Sequence, residues 1–174
     1  KDNKLCFNES GAAAPPPADT QAIIPPKKSD CDALPSRVAR LAPDMMHFAE
    51  DPKPVIILDK EGKPLKADDP HRFFEASWCH KYKGKYYFSY STGDTHMICY
   101  AIGDNPYGPF TYQGVILTPV KSGWTTHHSI VEFKGKWYLF HHDSAPSGGV
   151  NSLRSLKVAE LHYNEDGTIQ TIEG

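Results

Sequence analysis

No stretch of this sequence approaches the run of about 20 apolar residues that a membrane-spanning helix needs, although 39% of its residues are hydrophobic. An excess of charge of either sign is also missing. Nineteen basic and 21 acidic residues leave a formal net charge of −2, which gives neither a basic patch for nucleic acid nor a polybasic membrane anchor. Cysteine is scarce. Cys6, Cys31, Cys79 and Cys99 show no CxxC pair and no Cys/His zinc spacing. Cys6 and Cys31 bracket a loop-like segment; they form a disulfide if the protein is exported and otherwise stand as free thiols. Cys79 and Cys99 fall inside strand-like stretches, where a free cysteine acts as a small apolar residue. No signal peptide is visible, and an opening on Lys1 without Met reads as a processed or trimmed end.

Aromatic residues are plentiful: 9 Tyr, 8 Phe and 3 Trp, gathered mostly after residue 70. Most of them suit the core of a sheet protein, and some suit a cleft in which rings stack on sugar faces. The 174 residues are enough for one domain with a real core. Residues 1–34 are rich in Ala, Pro, Asp and Lys and read as a loop or arm. Residues 35–70 hold two strand-like stretches, Arg37–Leu41 and Val55–Leu58. From Arg72 onward, short aromatic strands alternate with Lys-Gly, Gly-Asp, Asn-Pro, Gly-Pro and Asp-Gly turns, without helical periodicity.

This last zone is duplicated. Lys81-Tyr-Lys-Gly-Lys-Tyr-Tyr-Phe-Ser-Tyr90 aligns with Glu132-Phe-Lys-Gly-Lys-Trp-Tyr-Leu-Phe-His141, an offset of 132 − 81 = 51 residues. Two further strands complete each unit: Met97–Ile102 and Phe110–Leu117 in the first, Ser155–Tyr163 and Thr168–Ile172 in the second. Four antiparallel strands recurring every ~40–50 residues are the signature of propeller blades. A β-sandwich with two similar hairpins is the alternative. The propeller reading makes the chain all-β, with a partial blade over 35–70 and blades at about 71–120 and 121–174. Closed propellers need at least four blades, so about two and a half are half a ring.

Three clusters carry candidate chemistry. In Phe73-Phe-Glu-Ala-Ser-Trp-Cys-His80, Glu75 stands among aromatics at the entry to a blade's first strand. Such a setting disfavours the charged carboxylate and suits a general acid; a solvated strand-edge Glu is the plainer reading. Trp124-Thr-Thr-His-His-Ser129 occupies the matching position one blade later. Adjacent strand residues face opposite ways, so only one of His127 and His128 can look into a cleft. No carboxylate stands at zinc spacing from them, and His141 and His142 read as packing or loop residues. In Gly148-Gly-Val-Asn-Ser-Leu-Arg154, Arg154 suits a cleft wall where a guanidinium binds sugar hydroxyls, or else an ordinary surface ion pair.

Taken in order, these segments resemble glycoside hydrolase family 43, the five-bladed β-propellers that include β-xylosidases, α-L-arabinofuranosidases and arabinanases. The resemblance runs through Phe74-Glu-Ala-Ser-Trp78, Tyr87-Phe-Ser-Tyr-Ser-Thr-Gly93, Tyr107-Gly-Pro-Phe110 and Gly123-Trp-Thr-Thr-His-His-Ser-Ile130. It continues through Gly135-Lys-Trp-Tyr-Leu-Phe140, Arg154-Ser-Leu156 and Tyr163-Asn-Glu-Asp-Gly-Thr-Ile169, and fits residues 35–58 more loosely. It implies Glu75 as the acid that protonates the leaving glycosidic oxygen. It implies His127 at the propeller axis, near a bound calcium or sodium ion, and Arg154 against the sugar. Trp78, Trp124 and His128 are the further candidate contacts to a pentose-containing oligosaccharide or polysaccharide. The resemblance also implies an inverting reaction, in which an Asp base faces the acid and a further Asp tunes it.

Those two Asp residues have no motif in residues 1–70, and Asp68 and Asp69 precede Glu75 too closely to serve. Loss of a base costs roughly 10²–10⁴-fold in rate. Three readings follow: a fragment of a longer enzyme, a chain completed by another chain, or a non-catalytic carbohydrate-binding or assembly protein. Half a ring exposes sheet edges and an apolar face, so self-association or a complementing half-propeller is expected. The location expected is secreted or periplasmic.

Overall fold

In the computed structural model, residues 30–124 and 127–174 are described. Ten strands follow in chain order: β1 (Ser36–Val38), β2 (Lys53–Val55), β3 (Ile57–Leu58), β4 (Glu75–Tyr82) and β5 (Lys85–Ser91), then β6 (Ile98–Gly103), β7 (Phe110–Leu117), β8 (Ser129–Phe133), β9 (Lys136–Asp143) and β10 (Ser155–Leu161). The only helical pieces among the described residues are two single 3-10 turns, Gly93–Thr95 and Ala145–Ser147. The described residues are all-β, as the patterning predicts.

The duplicated Lys-Gly-Lys turns build the two principal hairpins. Lys83 and Gly84 have φ of 45° and 83°, and Lys134 and Gly135 have φ of 51° and 77°. Two consecutive positive φ values give a two-residue turn whose twist matches that of the flanking strands. Tyr82 therefore pairs with Lys85, and Phe133 with Lys136. The first sheet has the order β3-β7-β6-β5-β4, the second β10-β9-β8, and β1 and β2 form a separate hairpin.

The inner strands β4 and β8 lie side by side. The Trp78 indole N–H donates to the Ile130 carbonyl at 3.1 Å, and farther along Tyr82 packs edge-on against Trp137, the cross-strand partner of Glu132. Alternation along β5 then divides the core. Tyr87 packs with Ile130, Leu139, Leu161 and Ile169 between the two sheets, while Phe88 and Tyr90 pack with Val55, Ile57 and Phe110 on the opposite side. The first sheet is thus covered on both faces. The second is covered on one face only, leaving Val131, Phe133, Leu156 and Val158 exposed on the other.

Three sequence expectations change. Arg37–Leu41 is a strand only as far as Val38, and Val55–Leu58 is broken at Ile56, whose carbonyl accepts from the Phe110 N–H. Beyond that break, β3 joins the first sheet in parallel with β7. The segment Thr168–Ile172 does not complete the second unit as its fourth strand. Ile169 bridges Tyr163, but Ile172 bridges Leu117 of the first sheet in parallel. Closing the seam buries Ile169 in the shared core and packs Ile172 against it, whereas a fourth outer strand would bury one face at most.

That seam carries two histidines whose protonation the fold opposes. Burial lowers the His80 pKa to about 4, where its Nε2 meets the Tyr163 hydroxyl at 2.7 Å. The pKa of His128 falls to about 3 through burial first and then through His127, His80 and His141. Both groups bind their proton more readily in the unfolded chain, so their contribution to stability is complete above pH ~6.5. It is lost as pH falls from there through about 4 and 3. The expected cost is of order 2 kcal/mol per histidine. Urea unfolding midpoints measured from pH 7.5 to 4 check this, and His80→Phe should flatten the profile.

Candidate functional site

Glu75 opens β4 and stands opposite Ser91, yet Trp78 stands opposite Ser89. Three residues of β4 thus span two of β5. A β-bulge absorbs the extra residue, and Ala76 takes a φ of 60° within it. Without the bulge, Ala76 would face Ser91 and Glu75 would fall on the other side of the sheet. With it, Glu75 shares the register face of Ser91 and Ser89, which looks toward the second sheet.

The turn after β5 is fixed to the segment that carries Glu75. The Phe74 N–H donates to the Ser91 carbonyl at 2.9 Å, and the Thr95 hydroxyl donates to the Pro70 carbonyl at 2.7 Å. Arg72 pairs with Asp94 at 3.1 Å. Gly93, at φ 67°, leaves room for the Phe74 ring, which a Cβ there would approach to 3.0 Å.

From this turn the contacts cross to the second sheet. The His96 imidazole stacks on the Trp124 indole, with centroids 4.6 Å apart and planes 12° from parallel. Trp124 is 41% exposed, and its backbone N–H donates to Asn151 Oδ1 at 3.0 Å. The Asn151 carbonyl in turn accepts from Arg154 Nε at 3.1 Å. The segment that leads into Glu75, the Trp124 loop and the loop that carries Arg154 are thereby joined through consecutive contacts at one end of the two sheets. Gly123 permits the close approach. At φ 77°, a Cβ there would sit 2.6 Å from Ser144 Oγ and 2.9 Å from Asn151 Oδ1. Gly123→Ala should therefore cost about 2–4 kcal/mol through strain and clash, read as a lowered urea midpoint.

The histidine pair divides as strand alternation requires. His128 turns inward, hydrogen-bonded through Nε2 to Ser89 Oγ at 2.7 Å in the seam between the sheets. His127 is exposed, and its backbone N–H donates to His142 Nε2 at 3.4 Å. Burial, with the nearby charge of Arg154, holds the His142 pKa below its ordinary value. Two of the expected sugar contacts have partners inside the seam. Trp78 packs against the seam core with its N–H bound to Ile130, and His128 is part-buried beside Ser89. Sequence reasoning passed over His96 and Asn151. Asn151 lies inside the glycine-rich segment already singled out for Arg154; His96 follows a turn and has no periodic signal.

Calcium takes six to eight oxygen ligands. Among the described residues no three His, Cys, Asp or Glu side chains converge where they could hold a metal ion. His127 alone is one nitrogen. The described residues alone do not fit an ion cage.

The model of Glycosyl hydrolases family 43 matches residues 36–169. The chain belongs to this family. It is 72% identical over 154 residues to a xylosidase/arabinosidase of Bacteroides ovatus, a match covering 88% of this chain and 46% of that protein. Among solved structures, RS223-Beta-xylosidase superposes with a TM-score of 0.82 at 70% identity, over 84% of this chain and 46% of the other. A family 43 beta-xylosidase/alpha-arabinofuranosidase from a compost microbial metagenome, in complex with xylotriose and in a calcium-free form, gives a TM-score of 0.82 at 60% identity, over 84% and 44%. The fold is that of the family's β-propeller, and the chain spans under half the length of the relatives it matches. The two principal sheets are neighbouring blades.

Proposed function

We propose that this chain is the acid-bearing part of an inverting glycosidase acting on xylose- or arabinose-containing plant polysaccharides or their oligosaccharides. Glu75 protonates the leaving glycosidic oxygen, while Trp124 and Arg154 contact the sugar. The observation that carries the reading is the bulge between Glu75 and Trp78, which turns a carboxyl group toward the neighbouring blade in a member of family 43. Support for the substrate class comes from relatives named for xylose and arabinose release and from a relative bound to xylotriose.

Inversion also needs a base across the sugar, with roughly 6.5–9.5 Å between carboxyl groups. The reading assigns that base to polypeptide outside residues 30–174, in a longer chain or a second one. An ion beside His127 would likewise need oxygens from outside the described residues. The isolated chain self-associates through the uncovered face of the second blade, a reading supported by the exposure of Phe133 at 60% and Leu156 at 72%. Light scattering should give a dimer or larger species, and Phe133→Lys with Leu156→Glu should yield a monomer. A secreted or periplasmic location is part of the same proposal, supported by Cys31 being half of a disulfide, while Cys79 and Cys99 are free. Its expected partner, Cys6, lies outside the described residues.

The test is hydrolysis of 4-nitrophenyl β-D-xyloside and α-L-arabinofuranoside, with the first-formed sugar anomer read by proton NMR. Inverted product supports the reading and retained product removes it. Xylotriose binding without turnover, in an assembly that also supplies the polypeptide of the other blades, favours the second reading, a non-catalytic carbohydrate-binding module, which the lack of a base motif supports.

A further inference from the structure

Trp124 projects from the second blade, while the acid candidate Glu75 belongs to the first. The first blade meets Trp124 through a ring contact, His96 on Trp124, at 4.6 Å and 12°. The arrangement is built from both sides. On the first blade, Arg72–Asp94, Thr95–Pro70 and the Phe74–Gly93 packing fix the turn to the strand entry that carries Glu75. His96 closes that turn in the left-handed region, φ 51° and ψ 31°, with its N–H donating to the Gly93 carbonyl. This backbone costs a non-glycine residue about 1 kcal/mol or more, and the conformation aims the imidazole at the neighbouring blade. On the second blade, Asn151 holds the Trp124 backbone and Gly123 lets it lie close to Ser144. One indole face is therefore occupied by His96, and 41% of the residue stays exposed.

We propose that His96 is a positioning residue: it braces the Trp124 indole as a sugar platform at a fixed setting from Glu75, coupling the two blades across the cleft. The proposal rests on the reading of Trp124 as a sugar contact and adds what holds it in place. His96 touches no reacting atom. Its part is to limit the freedom of a half-exposed ring, so that binding a pentose chain loses less rotamer entropy. A planar apolar ring at position 96 should do the same work, and a methyl group should not.

The experiment uses the chain labelled with 5-fluorotryptophan, with the Trp124 fluorine signal assigned through Trp124→Phe and titrated with xylotriose. In the wild type, xylotriose should shift that signal. His96→Ala should move and broaden it in the free protein and weaken xylotriose binding about fivefold. His96→Phe should restore the sharp line and bring binding to within about twofold of wild type. A merely structural role would lower the unfolding midpoint of both variants without this rescue. If His96→Ala moves the fluorine signal and leaves xylotriose affinity unchanged, the stack exists and the positioning role is overturned. If His96→Ala does not fold, His96→Phe decides: failure to match wild-type affinity overturns the proposal. If xylotriose leaves the wild-type Trp124 signal unmoved at millimolar concentration, Trp124 is no sugar contact and the proposal falls with that reading. Hydrolysis by Glu75 could still stand in that case, which separates the two failures.

Discussion

Glu75→Gln should lower hydrolysis of natural xylo-oligosaccharides by about 10²–10⁴-fold, the usual worth of a positioned general acid. The size of the loss should depend on the leaving group. A sugar alkoxide cannot depart without a proton, so cleavage of an oligosaccharide depends fully on the acid. A 2,4-dinitrophenolate leaves readily on its own, so its glycoside should lose much less. The amide of Gln nearly preserves the shape of the carboxylic acid but has no acidic proton, so xylotriose binding and the unfolding midpoint should stay near wild type. Rates across a series of aryl xylosides check this, in the assembly that turns over the parent compound. An equal loss on every substrate would assign Glu75 to another role.

The second large effect separates two tryptophans that look alike in sequence. Trp78→Ala should destabilise the chain by about 3–5 kcal/mol, because it empties a site between the blades and leaves the Ile130 carbonyl without its donor. Any sugar binding lost in this variant should return as the protein is stabilised by lower temperature or osmolyte. Trp124→Ala removes a half-exposed ring. It should change stability by less than about 1 kcal/mol while weakening xylotriose binding about tenfold. Urea unfolding and calorimetry on the same two variants provide both numbers. The opposite assignment, with Trp78 controlling affinity and Trp124 stability, would place the cleft on the wrong side of β4.

The contrast shows what was legible in the sequence. The 51-residue duplication could be read because each Lys-Gly turn demands positive φ at two residues and the flanking aromatics alternate with period two. Those local rules fixed the hairpins. They could not fix which sheet receives Thr168–Ile172, because an apolar alternating segment fits either edge; the gap between blades decided it. Alternation stated that one of His127 and His128 turns inward, and Ser89, 39 residues earlier, decided which. Trp78 and Trp124 both stand near strand starts. Trp78 keeps the register set by the Lys-Gly turn, the bulge re-phases only Glu75, and a bulge without glycine leaves little mark in the sequence. His96 was illegible for a related reason: its role arises from a left-handed turn meeting a residue of another blade. Motif order singled out Glu75 and Arg154, and the structure adds the contacts through Trp124 and Asn151 that join the segments carrying them.

Relaxation of backbone amide signals by a nitroxide-labelled xyloside reports directly on whether one sugar meets both blades. The amides of Ala76, Trp124 and Arg154 should lose intensity together, at one ligand concentration, while that of Lys60 in the distant turn after β3 keeps its full height. Broadening at Arg154 with Ala76 untouched, or broadening centred on the β1–β3 region, would contradict a shared pocket.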